Sequence, residues 1–214
     1  MTPTTSLKDD DLSLRLHRSE SWGRHADNCK DEDTKFISYW ISLNALYGRA
    51  KYLDRSSDEW NDISAFVTFI ETTARDALRE VRPKMSHAIA NVLSNRFLDR
   101  DCWKQWAEND ERNKAKRLET ATLAKNKSSD LSEVFRRLYE LRTQIFHGCS
   151  THGSDRNRET IAAANQIIGT LIPLFQTAVH DKGSQQKKLF NNPPYPPSAK
   201  DESPFTSIRT TRRR

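Results

Sequence analysis

Three cysteines in 214 residues are too few, and odd in number, for a disulfide framework; they read as free thiols of a reducing compartment. Six glycines leave no Gly-rich phosphate loop, and no GxSxG nucleophile elbow is present. Apolar runs are short: none approaches the roughly 20 residues needed to span a bilayer, so no membrane helix is expected. Alternating strand patterns are missing as well, which leaves helices as the building material. The start, Met1 to Asp11, is polar and then acidic at Asp9, Asp10 and Asp11. It resembles neither a secretory signal nor a transit peptide, and a cytoplasmic protein is the expectation.

What the chain does have is charge, 35 Lys+Arg against 29 Asp+Glu, for a net +6 and a pI near 9.3. Its distribution matters more than its sum. Residues 183–214 hold 7 basic side chains against Asp201 and Glu202, or +5, which leaves +1 for residues 1–182. The basic character is thus mostly a property of the end of the chain, and no broad basic face is expected on the folded part. Five of the eight prolines (193, 194, 196, 197 and 204) fall in the same stretch among Ser, Gln and Asn. Such a segment buries too little to offset its ordering entropy, so 183–214 reads as a disordered tail with polyproline II character at 193–197. Residues 1–11 read as a disordered N-terminus and 12–182 as one helical domain.

Within that domain, helical patterns cover roughly Leu12–Asn28, Thr34–Ala50, Asp58–Thr72 and Ala74–Asn95, the last broken at Pro83. The second contains FISYWISLNALYG, apolar almost all round, as a central core helix must be. A fifth pattern, Arg100–Lys127, opens with Trp103 and Trp106 and continues as ENDERNKAKRLE, whose alternating signs favour a solvated face. The sixth starts at a cap-like Ser128–Asp130 and runs to about Phe146. A last helix, Arg158–Val179, carries Pro173 and a kink is expected there. The five tryptophans read as bundle packing rather than as base-stacking platforms, since no basic strand accompanies them. The fold class is an all-α bundle.

Chemistry is concentrated in LYELRTQIFHGCSTHGSDRNR, residues 138–158. Apolar residues at Leu131, Val134, Phe135, Leu138, Leu141, Ile145 and Phe146 define one arc of the sixth helix, and Arg142 points into it. A guanidinium aimed at a core needs a carboxylate, a phosphate or a cleft. His147 follows where Gly148 can end the helix. Five residues at 100° each set it about 140° round the axis from Arg142, so one substrate meets both only at a distorted helix end or with a second copy of the domain. An imidazole moves protons near neutrality and a guanidinium stabilises charge on phosphate, which is the equipment of metal-free RNA cleavage through the 2′-hydroxyl. The plainer reading, a structural ion pair and a helix cap, stays open. His147, Cys149 and His152 lie within six residues, but with no distant fourth ligand a zinc site is not expected. No metal or cofactor is called for.

At these residues the chain resembles the HEPN family, whose signature is Arg, four residues, His, here Arg142-Thr-Gln-Ile-Phe-His147. FISYWISLNALYG resembles the buried early helix of the Apea-like members. LYELRTQIFHGCSTHGSDRNR resembles their motif stretch, and IIGTLIPLF (Ile167–Phe175) their closing helix. The resemblance implies a HEPN-like helical bundle, dimerising through its motif helices so that two Arg/His pairs line one cleft. Many members are metal-independent endoribonucleases of toxin–antitoxin, phage-defence or RNA-processing systems. Others are non-catalytic modules that bind RNA or nucleotides, or only dimerise. By this resemblance Arg142 would hold the phosphate and His147 would be the general acid/base, with RNA as substrate and an antitoxin or other protein as a further partner. Thr143 stands where the family usually has Asn. Asn44 is the polar group expected to face the motif from the early helix, or else to bond backbone in the core. Asn157 and Arg158 match an Asn-Arg pair expected to cap the last helix and fix the loop after His147, with phosphate contact as the other reading. Cys149 replaces a glycine, and no tyrosine stands two residues after His147, so a nucleotidyltransferase antitoxin acting on such a tyrosine is not expected.

Overall fold

A computed structural model describes residues 7–48, 58–100 and 130–190. Helices account for nearly all of them, and no strand occurs among the described residues. In chain order they are α1 (Leu7–Asn28), α2 (Glu32–Tyr47), α3 (Glu59–Thr73), α4 (Arg75–Val81), α5 (Ser86–Ser94), α6 (Leu131–Phe146), α7 (Arg158–Lys182) and the single turn α8 (Lys187–Phe190).

Local chemistry explains the boundaries. Asp31 caps α2, its Oδ1 accepting from the Thr34 amide (2.7 Å) and hydroxyl (2.6 Å), with Glu32 and Asp33 in the positive first turn. Asp58 and Asp130 cap α3 and α6 in the same way. Pro83 breaks the expected fourth helix into α4, a 3₁₀ turn (Arg82–Met85) and α5. Pro173 does not interrupt α7, which continues to Lys182.

The core is built around α7, which packs on α1, α2 and α5, while α6 lies against α3 and α5. Trp40, Leu43, Tyr47, Phe66, Phe135 and Phe175 are among its largest fully buried side chains, with Phe66 edge-on to Phe175 at 5.5 Å between ring centres. Contrary to the expectation from run length, α7 is long and apolar enough to cross a membrane, yet 56% of its most apolar window is buried inside the bundle. Polar residues such as Asn165 interrupt the run in the sequence, while the mean over the window stays high enough.

Two other expectations need correction. The first helix starts at Leu7 rather than Leu12, since the acidic triplet Asp9–Asp11 favours a helix N-terminus instead of forbidding one. Nor does the domain end at residue 182. Gly183–Gln185 form a 3₁₀ turn, α8 follows, and Leu189 and Phe190 are buried, Phe190 edge-on to Phe69 at 5.6 Å. The proline-rich residues 191–214 and the expected helix beyond Arg100, with Trp103 and Trp106, lie outside the described residues.

Candidate functional site around Arg142 and His147

α6 delivers Arg142 to the seam with α3. There its Nη2 meets Glu59 Oε2 at 3.4 Å, with the two side chains 21% and 13% exposed. Two rings flank the guanidinium: Cζ lies 4.8 Å from the centre of Phe146 and 5.9 Å from that of Tyr139. Its Nε is buried without a hydrogen-bond partner, as is the Tyr47 hydroxyl. Burial pushes the Tyr47 phenol well above its ordinary value, with Glu59 adding to the rise and Arg142 opposing it. Tyr139 is raised by the same burial and by Glu59 and Asp58. Arg142 therefore has the carboxylate that its position demanded, but that partner takes up only part of its donor fork.

His147 sits at the end of the same helix and is exposed. Gly148 adopts φ +72°, the Cys149 amide donates to Gln144 O (2.8 Å) and the Gly148 amide to Ile145 O (3.2 Å). This is a complete Schellman ending, in which glycine supplies the left-handed residue. The helix end is thus regular, and Arg142 and His147 remain on different faces, with no contact between them. One copy of the chain does not bring the pair together.

The loop beyond is tied to α2 by a buried carboxylate. Asp33 Oδ2 accepts from the Gly153 amide (2.9 Å) and from Arg158 Nη2 (3.0 Å), while Arg158 Nη2 also donates to Ser154 O (3.2 Å). Arg158 fixes the loop as expected. Asn157 does not cap: it stands before α7 with φ −117° and ψ 11°, outside the extended conformation that aims a capping side chain, and makes no capping hydrogen bond. His152 Nε2 lies 3.4 Å from Asp31 Oδ1 and 4.0 Å from Asp33 Oδ2. Asp31, Asp33 and His152 form the only trio of potential metal ligands gathered among the described residues. Thr34 and Arg158 already occupy these carboxylates, so the trio is a clasp rather than a cation cradle. Hydrogen bonds from Thr34, more than the neighbouring His152, hold the Asp31 carboxyl below its usual value.

Asn44 is exposed and makes no polar contact with Arg142 or His147, so it does not face the motif. Around it on α2 the buried positions are Ser42, Leu43, Leu46 and Tyr47, and the register turns residue 44 outward. Thr143 Oγ1 is buried with no hydrogen-bond partner and supports neither motif residue. Glu59 and Asp33 were not singled out from the sequence. Each meets its arginine across more than 80 residues, and acids in a helix's first turn ordinarily need no partner beyond the dipole. No family model, no curated protein and no solved structure matches this chain.

Proposed function

We propose that the chain is a HEPN-type, metal-independent endoribonuclease acting as a cytoplasmic homodimer, in the manner of a toxin or phage-defence effector held by an antitoxin or other protein partner. The observation that carries this reading is Arg142. Its guanidinium is held at a helix seam by Glu59, Tyr139 and Phe146, five residues before an exposed histidine at a glycine-terminated helix end. An arginine so held keeps its orientation and meets a phosphate without losing much side-chain freedom.

The reaction follows from these groups. The His147 imidazole takes the proton of a ribose 2′-hydroxyl, and O2′ attacks the adjacent phosphorus. Arg142 stabilises the negative charge on the pentacovalent phosphorane. The P–O5′ bond breaks, a protonated imidazole gives its proton to O5′, and the products are a 2′,3′-cyclic phosphate and a 5′-hydroxyl end. Taking one proton while giving another is work for two histidines, and two copies of the chain supply them. The same pairing lets Arg142 of one copy serve with His147 of the other, which the separation of the two residues within one chain requires.

A second reading, a non-catalytic HEPN module that binds RNA or nucleotides or only dimerises, is favoured by the Glu59–Arg142 ion pair, which also serves as a strut between α3 and α6. Incubating total RNA with the protein in EDTA separates the two. Wild type is expected to cut, and Arg142→Ala and His147→Ala to lose at least about a hundredfold in rate. Uncut RNA, or equal cutting by both variants, overturns the nuclease reading.

A further inference from the structure

Arg142 belongs to a longer series. Arg136, Tyr139, Arg142 and Phe146 follow one another along α6 at steps of three and four residues, which places them on one edge of the helix. Trp60 of α3 completes the row. Arg136 Cζ lies 5.3 Å from the Trp60 ring centre, the Trp60 and Tyr139 rings are 6.0 Å apart, and Arg142 Cζ stands between Tyr139 and Phe146. Cations and rings alternate along this edge, and the row stops beside His147.

The two ends of the row are open. The Arg136 side chain is 53% exposed, and besides the Trp60 ring it meets Glu133 at 3.7 Å, a half-exposed pair worth little in water. Phe146 is 47% exposed, one of three large apolar side chains so placed among the described residues. Arg142 lies over its ring at 4.8 Å, and nearly half of the Phe146 surface is still open to solvent. The guanidiniums of Arg136 and Arg142 start from positions about 9 Å apart along the axis, too far to share one phosphate.

From this arrangement we infer that the edge of α6 is a track for a single RNA strand: Arg136 and Arg142 take two phosphates, and a base stacks on Phe146 next to His147. This rests on the endoribonuclease reading and adds to it where the strand runs. A net charge of only +1 over residues 1–182 gives no support for a broad basic face, so the affinity is expected to rest on a few local contacts. Stacking on a lone ring also needs an unstacked base, which a duplex does not offer.

Binding of a fluorescent decanucleotide RNA to the full chain carrying His147→Ala, which removes cutting, tests the track. Arg136→Ala is expected to weaken binding about tenfold and to flatten the salt dependence by about 0.7, the share of one phosphate contact on a single strand. Phe146→Ala is expected to weaken it about tenfold with the salt slope unchanged, Phe146→Trp to restore it, and Phe146→Leu not to. Melting temperatures check that each variant is folded. Binding indifferent to both positions, rescue by Leu equal to that by Trp, or no RNA binding at all overturns the track. RNA cutting by the wild-type chain is scored separately. Cutting with indifferent binding leaves the nuclease reading and removes the track; position-dependent binding without cutting does the reverse.

Discussion

Asp33 shows how much one buried carboxylate can organise. It is 8% exposed, and removing its charge weakens its hold on the Gly153 amide and the Arg158 guanidinium together. Asp33→Asn is expected to cost about 2 kcal/mol in urea denaturation, the usual scale for a hydrogen bond to a charged group. Hydrogen exchange should quicken at the amides of 148–154 more than elsewhere; uniform exchange across the bundle would contradict the clasp. Tyrosine supplies a second residue-level test. The phenols of Tyr39, Tyr47 and Tyr139, three of the five tyrosines, are all held above their ordinary value, burial being the largest cause in each. Native pKa values raised in this way mean that folding favours the neutral ring. That stabilisation is complete below the unfolded value of about 10 and fades as pH climbs above it. Ultraviolet titration should find three phenols ionising late, with their share of the stability lost on the alkaline side; ionisation of all five together near pH 10 in the folded protein would refute it.

At the level of elements, much was readable in advance. Helix periods placed α2, α3, α6 and α7 to within a few residues, and the apolar arc of α6 correctly turned Arg142 toward the bundle. Legibility ended where partners are distant in sequence or where an all-apolar helix hides its own register. Asn44 looked buried because its neighbours are apolar, yet one position of a nearly uniform helix faces out, and α2 turns that one to solvent. The α2–α7 contact shows the same point from the other side. Gly169 sits where an added Cβ would come within 2.7 Å of the Tyr39 hydroxyl oxygen and 2.8 Å of its Cζ. The ring cannot easily retreat, because the hydroxyl donates to Asp27 Oδ1 at 2.6 Å. Ala is the better helix former by about 1 kcal/mol, whereas overpacking costs about 1–3 kcal/mol. Gly169→Ala should therefore destabilise on balance; a gain in stability on urea denaturation would show that α2 and α7 separate freely.

For the whole molecule, charge and composition point to a boundary that packing moves. The proline-rich, basic composition starts near Gly183, but the folded body continues through Phe190. What composition averages away is a single turn with two apolar residues. Leu189 and Phe190 are buried, Phe190 meets Phe69 edge-on, and the buried Arg15 lies over the same ring at 5.9 Å while its Nη1 donates to Gly48 O at 2.6 Å. Gly183 also packs against Leu12, so these eight residues join the end of α7 to α1 and α3. A chain ending at Phe190 is therefore expected to melt at the temperature of the full chain while losing half of the net positive charge, +3 of +6. A chain ending at Lys182 exposes the surfaces under both side chains and should lose about 3–6 kcal/mol, by about 1.5–3 kcal/mol for each apolar side chain buried. For a domain of this size the loss corresponds to a fall of roughly 10 °C in Tm. Differential scanning calorimetry of the two truncations beside the full chain decides the matter: equal melting of all three would mean that 183–190 is an appendage, whereas a fall confined to the shorter truncation makes it the last piece of the bundle.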